Sequence, residues 1–158
     1  MAVDLLLREG KINKMKMRNR IITGPMEKGM ANRDGSLTPR YIDYLVERAK
    51  GGASLIQVES TYVDTRGMGH LFQVGCHGDH VIPALARMAK AVHSEGANVG
   101  LELYMGGRQT PAYMAQRQPI APSVVYCKAL NPVPTPREMT KADIQEVIQI
   151  CADAAGGL

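Results

Sequence analysis

Eight consecutive residues, Leu101-Glu102-Leu103-Tyr104-Met105-Gly106-Gly107-Arg108, set a single carboxylate inside an apolar run from Val99 to Met105 and end that run at two glycines and an arginine. Burying an unpaired charge costs roughly several kcal/mol or more. A strand that keeps Glu102 therefore has a use for it at a site, or a salt-bridge partner inside the fold, and the residue types leave both open. The paired glycines let the backbone turn sharply and let a flat ligand approach closely. A second polar cluster, Glu59-Ser60-Thr61, closes the apolar run Ala53 to Val58. Glu59 reads equally as a site residue or as a buried carboxylate bonded to backbone amides. Cys76-His77-Gly78-Asp79-His80 has the residue types of a metal site, but neither its spacing nor a distant ligand set fits one. Asp79 reads instead as a helix N-cap, and His93 as a dipole complement near a helix C-terminus. Tyr104 either lines a substrate face or packs, Arg108 anchors its loop, and Cys127 is a loop thiol.

These groups need elements to position them. Asn19 to Met26 reads as a short buried strand ended by Gly24-Pro25, since proline cannot donate to a ladder. Thr38-Pro39 starts a helix from about Arg40 to Lys50, with Tyr41, Tyr44, Leu45 and Arg48 on one face and Gly51-Gly52 at its end. Ala53 to Val58 is a second strand, closed by Glu59-Ser60-Thr61. After Asp79, Ile82, Leu85, Met88, Ala89 and Val92 recur at helical spacing, and Gly96 closes that helix. Asn98 to Met105 is the third strand. A proline-rich excursion from Gly106 to Met139, with Pro111, Pro119, Pro122, Pro132, Pro134 and Pro136, far exceeds the connections of about 2–6 residues usual in α/β units. Thr140 then caps a third helix with Asp143 three residues on, and Ile144, Val147, Ile148, Cys151 and Ala155 form its apolar stripe. The alternation βα, βα, βα with near-continuous apolar strands predicts an α/β fold with a parallel sheet.

Composition narrows the function classes. The net charge of +4 is scattered, and no basic run is interleaved with aromatics, so nucleic acid is not an expected partner. Lys11 to Arg20 alternates with Ile12, Met15 and Met17 and reads as a short strand or turn. Three distant cysteines without a CxxC pair point to a reducing compartment rather than a disulfide framework. Leu5-Leu6-Leu7 is too short for a signal peptide and follows Asp4. No run approaches the roughly 18 apolar residues of a membrane span. The expectation is a soluble cytoplasmic protein without a membrane partner.

Taken together, Asn19-Arg20-Ile21-Ile22, Gly24-Pro25-Met26, Asp34-Gly35 before the Thr38 helix, Glu59-Ser60-Thr61, Leu101 to Arg108, Ala121-Pro122-Ser123 and Pro136 to Thr140 resemble the Old Yellow Enzyme family in the same order. Its members are FMN-binding (β/α)8 TIM barrels with sites at the C-terminal ends of the strands. The resemblance implies Pro25, Met26, Ser60 and Glu102 as flavin contacts, with Ser60 a small residue that admits the ring edge. Glu102 stands where the family usually has Gln, and an ionised carboxylate accepts but cannot donate. Met105 stands where many members have His, and Glu27 where many have Thr, Cys or His. The Leu-Glu-Leu…Gly-Gly pattern resembles the branch of dienoyl-CoA reductases and amine dehydrogenases. Long relatives in that branch add an iron–sulfur cluster and a second dinucleotide region for FAD.

A whole barrel needs about 250 residues, so residues 1–158 are expected to form its N-terminal portion, a partial barrel of three βα units with parallel strands. The family's His/Asn or His/His pair and its proton-donor Tyr are then expected beyond Leu158. The implied activity is NAD(P)H-driven reduction of an activated alkene, or oxidation of a methylated amine, on a small-molecule substrate. The alternative is a catalytically inert or partner-dependent fragment, prone to self-association through its open sheet.

Overall fold

The computed structural model describes residues 2–111, 113–114, 117–128 and 134–157. Pro132 of the proline-rich excursion and the terminal Leu158 lie outside them. A short helix α1 (Ala2–Leu7) precedes an antiparallel hairpin, β1 (Gly10–Ile12) and β2 (Met15–Met17), so the basic stretch is a hairpin with Met17 buried beneath it. Next come β3 (Ile22–Thr23), α2 (Pro39–Lys50), β4 (Leu55–Tyr62), α3 (Ile82–Ser94) and β5 (Asn98–Tyr104). A pair β6 (Ile120–Ala121) and β7 (Arg137–Glu138) leads into α4 (Lys141–Gly156). The three-stranded sheet runs β3-β4-β5 and is parallel throughout.

The helices begin where their caps dictate. Thr38 accepts the Tyr41 amide at 3.2 Å ahead of Pro39, and Thr140 and Asp143 form a reciprocal capping box. Asp79 does not cap α3. It sits in a 3₁₀ turn, Asp79–Val81, and Val81 precedes the helix without a side-chain cap; Pro83 in the first turn removes one of the amides such a cap would serve. Gly96 takes φ +72° just past α3, as its position demands.

Tyr41, Leu45 and Ala49 of α2 and Leu85, Met88 and Val92 of α3 bury one face of the sheet, Ile56, Val58, Val99 and Leu101. Each such side chain, fully buried, contributes about 1.5–3 kcal/mol. Residues paired across a parallel ladder share a face, and Ile22, Gln57, Gly100 and Glu102 therefore lie on the other. On that face Ile22 and Glu102 are exposed, while Leu55 and Ser60, paired with them, are buried. Asn19–Met26 is accordingly not a buried strand: only Ile22–Thr23 pair, and Ile22 is 44% exposed. On α4, Val147, Ile150, Cys151 and Ala154 are half-buried while Ile144, Ile148 and Ala155 stay exposed, so only part of its stripe packs.

The proline-rich excursion is not featureless. Parallel pairing of β6 with β7, with Arg137 N–H to Pro119 O at 2.7 Å and Met139 N–H to Ala121 O at 2.9 Å, brings the Ala121-Pro122-Ser123 and Pro136–Thr140 motifs together.

Arg18 staples the hairpin to the helix ends, donating to the carbonyls of Ala49 at 2.5 Å, Ala53 at 2.9 Å and Glu95 at 2.7 Å. Arg18→Ala strands carbonyls at the ends of both helices and is expected to cost about 2 kcal/mol in urea unfolding. Arg18→Lys should recover only part, because one ammonium cannot span the fork. A loss under about 0.5 kcal/mol for Arg18→Ala would remove the staple's role.

Candidate functional site

The C-terminal ends of the three parallel strands converge on one region, and a β-bulge decides what faces it. Val58 pairs with Leu101 and Ser60 with Glu102, so Glu59 is the extra residue on β4. A bulge re-aims the side chains beyond it. Here it sets Ser60 beside Glu102 on the face away from α2 and α3, which alternation would otherwise have given to Glu59. β4 accordingly does not end at Val58. It runs on through Glu59-Ser60-Thr61 to Tyr62, which bridges to Gly75.

Glu59 is fully buried. Its Oε2 accepts the Lys28 N–H at 2.6 Å and its Oε1 the Val74 N–H at 3.3 Å. Burial pushes its carboxyl above the ordinary glutamate value of 4.5, with the two amides opposing the rise. Gln73, also buried, donates from Nε2 to the Ser60 carbonyl at 2.7 Å and to Ser60 Oγ at 3.0 Å, while its Oε1 accepts from the Gly69 amide at 2.7 Å. Ser60 Oγ in turn donates to Glu27 Oε1 at 3.2 Å. His70 lies between Glu27 and Glu59, with Nε2 at 3.9 Å from an oxygen of each.

The four residues singled out in the sequence fall unevenly around this network. Ser60 is buried within it. Pro25 and Met26 are exposed in the turn after β3, Met26 at 61%. Glu102 neighbours Ser60 in the ladder but is exposed, and its side chain makes no ion pair or hydrogen bond among the described residues. Val99 and Leu101 of the same run pack on the core face, while Glu102 points to the other. Tyr104 follows Glu102 on the same face, half-buried, and burial raises its phenol with the charge of Glu27 adding to the effect. Gln73 and His70 were not singled out, and no spacing signal marks them. Only the folded strand ends bring residues 27, 59, 70 and 73 together.

Cys76-His77-Gly78-Asp79-His80 is elsewhere. Burial raises the Cys76 thiol to about 11, away from thiolate chemistry, and His77 stacks on Tyr62 with ring centres 4.6 Å apart. Cys76, His77, Gly78 and Asp79 line a cleft of about 330 Å³ with Asp64 and Asp153. Among the described residues no group of three or more His, Cys, Asp or Glu side chains could hold a metal ion. Gly35 takes φ +84° where a Cβ would meet the Tyr62 hydroxyl, which explains the Asp34-Gly35 turn beneath this region.

The donor set is that of a site for a flat ring with an N–H edge. Pro25 and Met26 offer an apolar surface, Ser60 a small side chain, and Glu102 and Glu27 acceptors. None of the five carries positive charge, so an apolar surface beside acceptors is chemistry compatible with a flat ring and not with a phosphate.

An α/β fold with a parallel sheet and a polar cluster at the strand ends has the form of the Old Yellow Enzyme TIM barrels. It superposes on the Old Yellow Enzyme homologue of Zymomonas mobilis with a TM-score of 0.88 at 26% identity, covering 96% of this chain and 44% of that one. The chain belongs to the NADH:flavin oxidoreductase / NADH oxidase family, whose profile matches residues 10–156. It is 41% identical over 152 residues to an NADH oxidase of Thermoanaerobacter brockii, covering 95% of this chain and 23% of that protein. An NADH:acrylate oxidoreductase of Vibrio harveyi is 36% identical over 141 residues, covering 89% and 14%. The chain thus spans less than half the length of these relatives. No helix among the described residues is long and apolar enough to cross a membrane.

Because the folded value for Glu59 lies above the ordinary one, its contribution to stability is fully present at low pH and is lost as pH rises through the folded value. Glu59→Gln loses one amide acceptor at every pH but does not ionise. Thermal melts should therefore show wild type losing ground against Glu59→Gln as pH rises from the ordinary glutamate range, by at most about 1.4 kcal/mol per pH unit. A gap constant with pH would contradict this.

Proposed function

We propose that the protein acts as an FMN-dependent oxidoreductase in which Pro25, Met26, Ser60 and Glu102 hold the flavin ring and NAD(P)H is the reductant. The observation that carries the reading is the bulge at Glu59, which sets Ser60 and Glu102 side by side on one face at the strand ends. Bound flavin would supply hydride transfer between the nicotinamide and an acceptor. Ser60 leaves room for the ring edge, and its Oγ is fixed by Gln73 and Glu27. Glu102 accepts from a ring N–H. The acceptor we favour is an activated alkene, because a relative acts on acrylate by name. An iron–sulfur cluster or FAD would need chain beyond these residues.

A second reading concerns the polypeptide alone. It supplies three parallel strands with Ile22 exposed on the sheet and Met26 exposed in the turn after β3. Apolar surface of this kind favours association, and the uncovered edge strands add unpaired backbone groups. The 158-residue polypeptide by itself is then inert, a partner-dependent portion of a barrel.

Anaerobic NAD(P)H should bleach the flavin absorption of the full-length protein, and an α,β-unsaturated carbonyl compound should restore it. Loaded flavin that NAD(P)H leaves oxidised would contradict the oxidoreductase reading. The 158-residue polypeptide should bind FMN weakly in a fluorescence titration and elute as more than a monomer in light scattering. Tight stoichiometric binding by a monomer would overturn the second reading. Glu102→Gln in the full-length protein should raise the flavin midpoint potential, since removing a nearby negative charge makes the anionic reduced ring less costly. An unchanged potential would take Glu102 away from the ring.

A further inference from the structure

His70 is placed where its ring cannot be satisfied by ordinary hydrogen bonds. Its Nδ1 lies 3.0 Å from the carbonyl oxygen of Leu71, which can only accept, so Nδ1 carries a proton. Its Nε2 is buried, has no hydrogen-bond partner, and stands 3.9 Å from Oε2 of Glu27 and 3.9 Å from Oε2 of Glu59. A lone pair aimed at two anionic oxygens is repulsive in a region where the local dielectric is low. At least one proton must therefore reside among these three atoms.

The surroundings leave that proton to His70 and the two carboxylates. From β4, Glu59 presents a buried carboxylate whose amide partners come from Lys28 and Val74. From α2, Tyr41 feels the charge of Glu59, and from β5, Tyr104 feels that of Glu27. The Lys28 ammonium is turned away, 5.2 Å over the Tyr44 ring. Among the described residues His70 is the one basic side chain within ion-pair distance of Glu27 or Glu59. Glu27 in turn touches Ser60.

We propose that His70 is a positioning residue for Glu27, holding its carboxylate beside Ser60 through an ion-pair contact of its Nε2 with both Glu27 and the buried Glu59. The proposal rests on the reading that flavin lies against Ser60. A proton held within this group offsets the charge of Glu27 next to the ring, and without it the bare carboxylate opposes the arrival of electrons. His70 thus acts on the flavin through Glu27 and touches nothing that reacts.

The test is a double-mutant cycle in the full-length, FMN-loaded protein, read by spectroelectrochemistry. His70→Gln is expected to lower the flavin midpoint potential, Glu27→Gln to raise it, and His70→Gln to have no further effect in the Glu27→Gln background. A potential unmoved by His70→Gln, with only the melting temperature lowered, would make His70 merely structural and overturn the proposal. An equal fall in both backgrounds would overturn it too, because the effect would then bypass Glu27. Failure of the wild type to take up FMN overturns the flavin reading and this proposal with it, whereas a loaded flavin with an unmoved potential overturns this proposal alone. Should His70→Gln not fold, nitrogen-15 NMR of wild type and Glu27→Gln decides. The expected result is a proton on Nδ1 and an Nε2 signal that moves when Glu27 is replaced. A bare Nδ1, or an Nε2 signal indifferent to Glu27, overturns it.

Discussion

A carboxylate with no access to water fixes the geometry of the strand ends. Glu59 could be tolerated in the interior only if donors came to it, since an unpaired buried charge is unstable by several times the worth of a typical contact. The donors that arrive are backbone amides from two different segments, Lys28 after β3 and Val74 in the loop after β4. Each of those loops is thereby tied to the same point on the central strand. The bulge that lets Glu59 turn inward also re-aims Ser60 toward the face away from α2 and α3, so the stabilising interaction and the shape of the site share one cause. Gln73 completes the arrangement by bonding to the Ser60 carbonyl and to the Gly69 amide.

Much of the fold was legible in the sequence because its signals are local. Thr38-Pro39, Gly96 and the Thr140–Asp143 pair each state a helix boundary through backbone chemistry that works within one turn. Asp79 misled because a capping residue type before an apolar run is only a correlate of a cap; a 3₁₀ turn intervenes and shifts the helix start to Ile82. The end of β4 misled for a related reason. Polar residues usually close a strand, but here a fully buried Glu59 and Thr61 continue it, and nothing in Glu-Ser-Thr distinguishes a bulge from a stop.

The site was less legible than the fold. Alternation along β5 shows that Glu102 and Tyr104 share a face, but not whether that face is covered. Glu102 is exposed while Ser60 beside it is buried, a difference that no local pattern encodes. The convergence of Glu27, Glu59, His70 and Gln73 is likewise a product of parallel strands ending at the same level, across more than forty residues of chain. The resemblance carried Pro25, Met26, Ser60 and Glu102 to one region, while the reason Ser60 stands beside Glu102 belongs to the bulge.

The central claim is that this bulged strand end carries the flavin ring. A crystal structure of the full-length protein with FMN tests it most directly. The account predicts the ring lying over Ser60 with one edge toward Glu102 and its face near Pro25 and Met26. A ring seated elsewhere, for instance in the cleft between His77 and Asp153, with Glu102 left in solvent, would contradict it.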